Sequence, residues 1–190
     1  MKGSAADTLL DVALPKFPAQ AIRKVYDIGW KPLHIVPYPA SSIPLTLQPA
    51  GLDKSVGVIT AEFLREPADP GWQGDPNVTG YLEFQKKYNP GFDPNDWSNV
   101  IAYYMATAVM QLLKSCGDDP SREHVRERVS HMRGVTAPML LTGITLNTTP
   151  TDYNAIKQMR LKRFDGARWV PLDGIVGESV PFSRGRSRRT

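Results

Sequence analysis

Three histidines and one cysteine are the residues best suited to metal ligation or covalent catalysis, and their spacing serves neither. His34 stands far from His124 and His131, which sit seven residues apart in a helical pattern, so no ligand set converges as a zinc site requires. Cys116 closes a helical stretch just before Gly117, with no helix N-terminus or paired histidine to favour its thiolate. A Gly-rich phosphate loop and a Gly-x-Ser-x-Gly turn are both absent. Neither a nucleophile with its base nor a cofactor loop can be assembled, so the residues argue against an enzyme, a metal or a resident cofactor. Binding is the chemistry that remains. Its candidates lie in two turns, Lys16 and Phe17 after Leu14, and Tyr38, Ser41 and Ser42 after Val36. Packing for Phe17 and helix capping for the serines are the competing roles.

Those turns are set by the elements around them. The apolar run 8–14 predicts a buried strand closed by Pro15, and Ala21, Ile22 and Val25 recur at helical spacing from Pro18 to Gly29. Leu33–Val36 predicts a second buried strand, giving a strand, helix, strand unit with parallel pairing. In an open parallel sheet ligands bind beyond the carboxyl ends of strands, where both candidate turns fall. Residues 41–51 predict a short capped helix, 55–63 a further strand, and the Pro, Gly and Asp of 65–76 a surface crossover. Helices follow over 76–88 and 97–116, the second apolar nearly all round and expected to be central and buried. Asp119-Pro120 opens another amphipathic helix carrying Val125, Val129 and Met132. Residues 139–146 read as a strand, and 156–164 with 168–172 as a hairpin about Asp165-Gly166. Beyond Gly177 the apolar residues are too few to order a tail over 179–190.

Composition points the same way. With 41% hydrophobic and 22% charged residues, the 190-residue chain suits one folded domain or two small ones. Its net charge of +4 comes from Arg184, Arg186, Arg188 and Arg189; without them 19 basic residues face 19 acidic ones, which removes the basic stripe that nucleic-acid binding needs. No apolar run is long enough to span a membrane, and the first residues lack the apolar stretch of a secretory signal.

Several phrases, in this order, resemble one family: Pro15–Trp30, Leu47–Ile59, Cys116-Gly-Asp-Asp119, then Pro150-Thr-Asp-Tyr153, Lys157-Gln-Met159 and Arg163-Phe-Asp-Gly166. Together they resemble the C-terminal part of the branched-chain amino-acid substrate-binding proteins of ABC transporters, within the type I periplasmic binding proteins. The resemblance implies an α/β fold of Rossmann-like lobes, truncated. Residues 1–178 would form a partial binding domain, with 7–64 and 138–176 in the second lobe and 65–137 in part of the first.

The same resemblance implies a solute-binding component that holds a small ligand in an interlobe cleft and, at full length, works with transporter permeases in the periplasm. It adds a ligand contact before the long helix, where Trp97 and Ser98 stand. It also carries a departure. Amino-acid binders of the family use an acid in the second turn, and Tyr38-Pro-Ala-Ser-Ser42 has none, which points toward a small carboxylate or aromatic acid as well as a branched-chain amino acid. A sensory or regulatory ligand-binding domain of the same fold is the alternative function, and a DNA-reading helix-turn-helix or membrane segment would mark it.

Overall fold

In the computed structural model, which describes residues 2–14 and 16–177, a five-stranded sheet carries the chain in strand order one to five. The expected tail over 179–190 lies outside the described residues. Strand β1 (Thr8–Leu10) leads into helix α1 (Lys16–Asp27), which returns the chain to β2 (Leu33–Ile35) in parallel register, Leu9 beside His34. The strand, helix, strand reading therefore holds. β1 is shorter than its apolar run and lies at the sheet edge, because its partner ends at Ile35 and the last rung is Asp11 N–H to the Ile35 carbonyl. Leu10, Val12 and Leu14 are consequently exposed rather than buried.

After β2, a 3-10 turn (Tyr38–Ala40), a π-helical turn (Ile43–Leu47) and the three-residue helix α2 (Gln48–Ala50) lead to β3 (Ile59–Glu62), parallel to β2. Helices α3 (Pro76–Tyr88), α4 (Trp97–Ser115) and α5 (Arg122–Ser130) follow. Asp75, Asp96 and Ser121 cap their first turns by accepting backbone N–H groups. The chain then returns as β4 (Gln158–Phe164), antiparallel to β3, and turns at Asp165-Gly166 into β5 (Trp169–Gly177). The Asp165 carboxylate accepts the N–H groups of Ala167 and Arg168, and Gly166 takes φ 108°, a conformation that disfavours any side chain.

Two apolar cores form. Ile22, Val36, Leu47 and Val58 pack with Phe164 and Trp169 in one, and Val78, Tyr81, Val100 and Tyr104 pack with Leu64 in the other. Met139, Leu141 and Ile144, expected in a strand, join the second core from a turn-rich segment that makes only isolated bridges, Leu64 to Leu140 and Val135 to Leu146. Met139 at φ 72° and Gly143 at φ 91° break the extended path a strand would need. α4 also departs from expectation. Val100 and Tyr104 are its buried residues, while Met105, Val109, Met110 and Leu113 face outward.

On β2, His34 is buried 3.9 Å from the Asp11 carboxylate that follows the edge strand, and its Nε2 makes no hydrogen bond among the described residues. Burial holds its pKa below the ordinary 6.5, against a smaller upward pull from Asp11. The unfolded chain therefore takes up the proton first as pH falls, so this contribution to stability is complete above about pH 6.5 and is lost progressively below it. Thermal denaturation should show Tm falling between about pH 7 and pH 5, and His34→Leu should remove that part of the slope. An unchanged slope in the variant would assign the acid sensitivity to other groups.

Candidate functional site

The carboxyl end of β2 is where the cavity begins, because the chain must leave the sheet there and Pro37 forbids its continuation. Tyr38 follows in the 3-10 turn. Ser41 donates from Oγ to the Tyr38 carbonyl at 2.7 Å, while Ser42 Oγ accepts the Leu45 N–H and caps the π-helical turn. Both serines thus hold the turn in shape, and both also line the cavity. Trp169 fixes the turn from beneath, donating Nε1–H to the Ser41 carbonyl at 2.9 Å.

Opposite this turn stands the start of α4, reached through the loop 89–96. Trp97 and Val100 face the cavity from there, and the Tyr81 hydroxyl anchors the loop by donating to the Pro94 carbonyl at 2.7 Å. The cavity, partly open to solvent, has a volume of about 320 Å³, within the range of small-molecule sites. Behind Tyr38 an aromatic series runs into the second core: Phe63 lies 5.4 Å from the Tyr38 ring and 6.0 Å from the Tyr104 ring. Burial first, then the charges of Glu66 and Glu62, push the Tyr38 phenol far above its ordinary value, so it is a neutral hydrogen-bonding group at physiological pH.

Four of the residues singled out in the sequence, Tyr38, Ser41, Ser42 and Trp97, come together around this cavity. Lys16, Phe17 and Ser98 lie outside its lining: Lys16 and Phe17 are exposed on the first turn of α1, and Ser98 turns back to donate to Asp96 Oδ1. Among the described residues no group of three or more His, Cys, Asp or Glu side chains could hold a metal, and no helix is long and apolar enough to cross a membrane. Cys116 is buried at the end of α4, and His124 pairs on the surface with Asp119 at 3.1 Å.

Sequence reasoning missed the charged part of the site. Arg65, Glu66 and Lys162 line the cavity, as do Asp93 and Asp96. Glu62, 3% exposed, lies opposite Arg160 in the β3–β4 register and accepts two bonds from its guanidinium, at 2.9 and 2.6 Å. Lys162, also 3% exposed, reaches Glu62 and Glu66 at 2.9 Å each. Arg65 bonds the Leu140 carbonyl and the Thr142 hydroxyl, and lies 3.4 Å from Asp75. The one signal for Lys162 is its alternation with Arg160 and Phe164 on one strand face, a pattern that by composition alone reads as solvent-facing.

Breaking a buried ion pair from one side costs about 3–5 kcal/mol, because the remaining charge stays in the interior without its partner. Because Arg160 stays on Glu62, Lys162→Met should lower stability to chemical denaturation by less than that, and the double variant with Glu62→Gln should lose less than the two single losses added together. Strict additivity of the two losses would mean that the groups do not interact.

No protein-family model matches the chain, and no curated protein matches it by sequence. Solved structures do. A branched-chain amino-acid ABC transporter protein from Thermus thermophilus with bound valine superposes with TM-score 0.67 at 16% identity, over 93% of this chain and 47% of that one. A leucine-binding protein from Thermotoga maritima gives 0.63 at 15%, over 90% and 45%, and a possible leucine/isoleucine/valine-binding protein from Rhodopirellula baltica gives 0.69 at 13%, over 91% and 44%. The chain spans somewhat less than half the length of each of these proteins. At such identities the likeness is one of fold, and it agrees with the sequence resemblance: the chain has the fold of about half of a type I periplasmic binding protein, similar to the substrate-binding proteins of branched-chain amino-acid ABC transporters.

Proposed function

We propose that this chain forms the ligand cleft of a solute-binding component of an ABC transporter, taking a branched-chain amino acid or a related small carboxylate or aromatic acid. The observation that carries the reading is the cavity itself, in which Tyr38, Ser41 and Ser42 from the end of β2 meet Trp97 from the start of α4. Aromatic and aliphatic walls bind an apolar side chain, and the few polar groups among them fix its orientation. The two cores support a two-lobed division of 7–64 with the β4–β5 hairpin against 65–137, although the change of core falls earlier, between Val58 and Leu64. Segment 139–146 goes with the second of these by its packing. Work with permease subunits in the periplasm is part of the same proposal, an extension of the family resemblance; among the fold neighbours one is named an ABC transporter permease and another a substrate-binding periplasmic protein.

Isothermal titration of the chain with branched-chain amino acids and small apolar carboxylates tests this. Saturable binding is expected, and Trp97→Ala should weaken it by at least about tenfold, the equivalent of about 1.4 kcal/mol. Binding of equal strength in the variant would move the ligand away from this cavity.

A further inference from the structure

We infer that α4 is the seam of a dimer of this chain, two copies pairing antiparallel along the helix face that the fold leaves bare. On the core side of α4, Val100 and Tyr104 are buried, and Trp97 and Val100 line the cavity. Half a turn round the helix lie Ala102, Met105, Ala106, Val109, Met110 and Leu113, spaced i, i+3, i+4, i+7, i+8 and i+11, and all six are exposed. Met105, Val109 and Met110 keep 57%, 52% and 54% of their surface, so the stripe is bare along its length. Apolar residues at this spacing form the contact face of a helix that packs on another helix. The face continues onto α3 through the Tyr103 ring, 5.1 Å from Phe84, which in turn lies 4.9 Å from the exposed Tyr88. A contiguous apolar face running over two helices marks an interaction surface.

The occupant that fits is a second copy, because one register satisfies both packing and charge. With the helices antiparallel about a point between Met105 and Ala106, Met105 of one copy lies level with Ala106 of the other, and Val109 with Ala102. Leu113 falls level with Ser98. Each large side chain thus meets a small one, the alternation that lets facing helices interdigitate. The same register brings Lys114, in the last turn, to the start of α4 in the second copy, where Asp96 caps the helix. Lys114 makes no ion pair among the described residues, and neither do Asp93 and Asp96. Two-fold symmetry makes that contact twice, and the opposed helix dipoles favour it. The fold neighbours are about twice as long, so a polypeptide completing such a fold is the competing occupant. A match of large to small and of cation to acid about a single centre is a requirement of self-pairing alone.

Sedimentation velocity of the 190-residue chain should show a dimer at micromolar concentration. Val109→Glu puts a carboxylate from each copy into the seam and should raise the dissociation constant at least about a hundredfold, whereas Val109→Leu, which keeps the face apolar, should stay dimeric. A circular-dichroism melt of each variant checks that the fold survives. Cross-linking under mild oxidation reads the register, with the one native cysteine removed as Cys116→Ser. Ala106→Cys sits at the centre and should link to its counterpart, while Leu113→Cys lies about 22 Å from its counterpart along the seam and should not. A wild-type monomer at every concentration, a Val109→Glu variant that remains dimeric, or linking at 113 and none at 106 each overturns the inference. A monomer would leave the stripe to a different polypeptide. The ligand-binding reading stands in every case, since none of the six stripe residues lines the cavity.

Discussion

A carboxylate removed from water must be neutralised where it stands, and Glu62 is such a carboxylate at the point where the chain leaves the sheet. Two cations on β4 meet that demand, Arg160 directly across the ladder and Lys162 on the diagonal. A slip of one residue would turn both away from Glu62, so the buried charge fixes the β3–β4 register as firmly as any apolar contact. Everything at the cavity depends on that register. It places Lys162 under Glu66, sets Phe63 between the Tyr38 and Tyr104 rings, and brings Trp169 beneath the Ser41 carbonyl.

The division of apolar residues into two cores follows from the same crossing. Val58, just before β3, is buried in one core, and Leu64, two residues beyond Glu62, is buried in the other. The surfaces between the cores carry what neither interior accepts: ion pairs, turn caps and half-buried aromatic rings. A cavity formed at such a boundary is walled by groups that already have structural duties, as Ser41, Ser42 and Asp96 show. What such a cavity leaves uncommitted is a remainder, a second carboxylate oxygen or an open ring face, on side chains already bonded within the fold.

Much of this was legible in the sequence where a local rule decides. Asp165-Gly166 forced the hairpin, the parallel unit from β1 to β2 followed from one short helix between two apolar runs, and the turn after Val36 became a site candidate because strands of a parallel sheet open there. The rest required tertiary partners. The apolar composition of α4 predicted burial all round, yet composition does not say which face finds a neighbour, and only the face of Val100 and Tyr104 does so fully. Residues 139–146 have the makeup of a strand, but positive φ at Met139 and Gly143 turns them into a packed loop. Glu66 and Lys162 lie 96 positions apart, and no spacing rule connects them.

Trp72, in the crossover, stacks beneath the guanidinium of Arg65 at 5.0 Å and beside that of Arg160 at 5.9 Å. One of these groups is bonded to Leu140 and Thr142 of the α3–α4 core, the other to Glu62 in the sheet. Their fields act on a single indole, so a change in the separation of the two cores reaches that ring as a change in local electric field. A single ring thus stands in the fields of two cations anchored on different parts of the fold, one on the segment after the helices and one on the sheet.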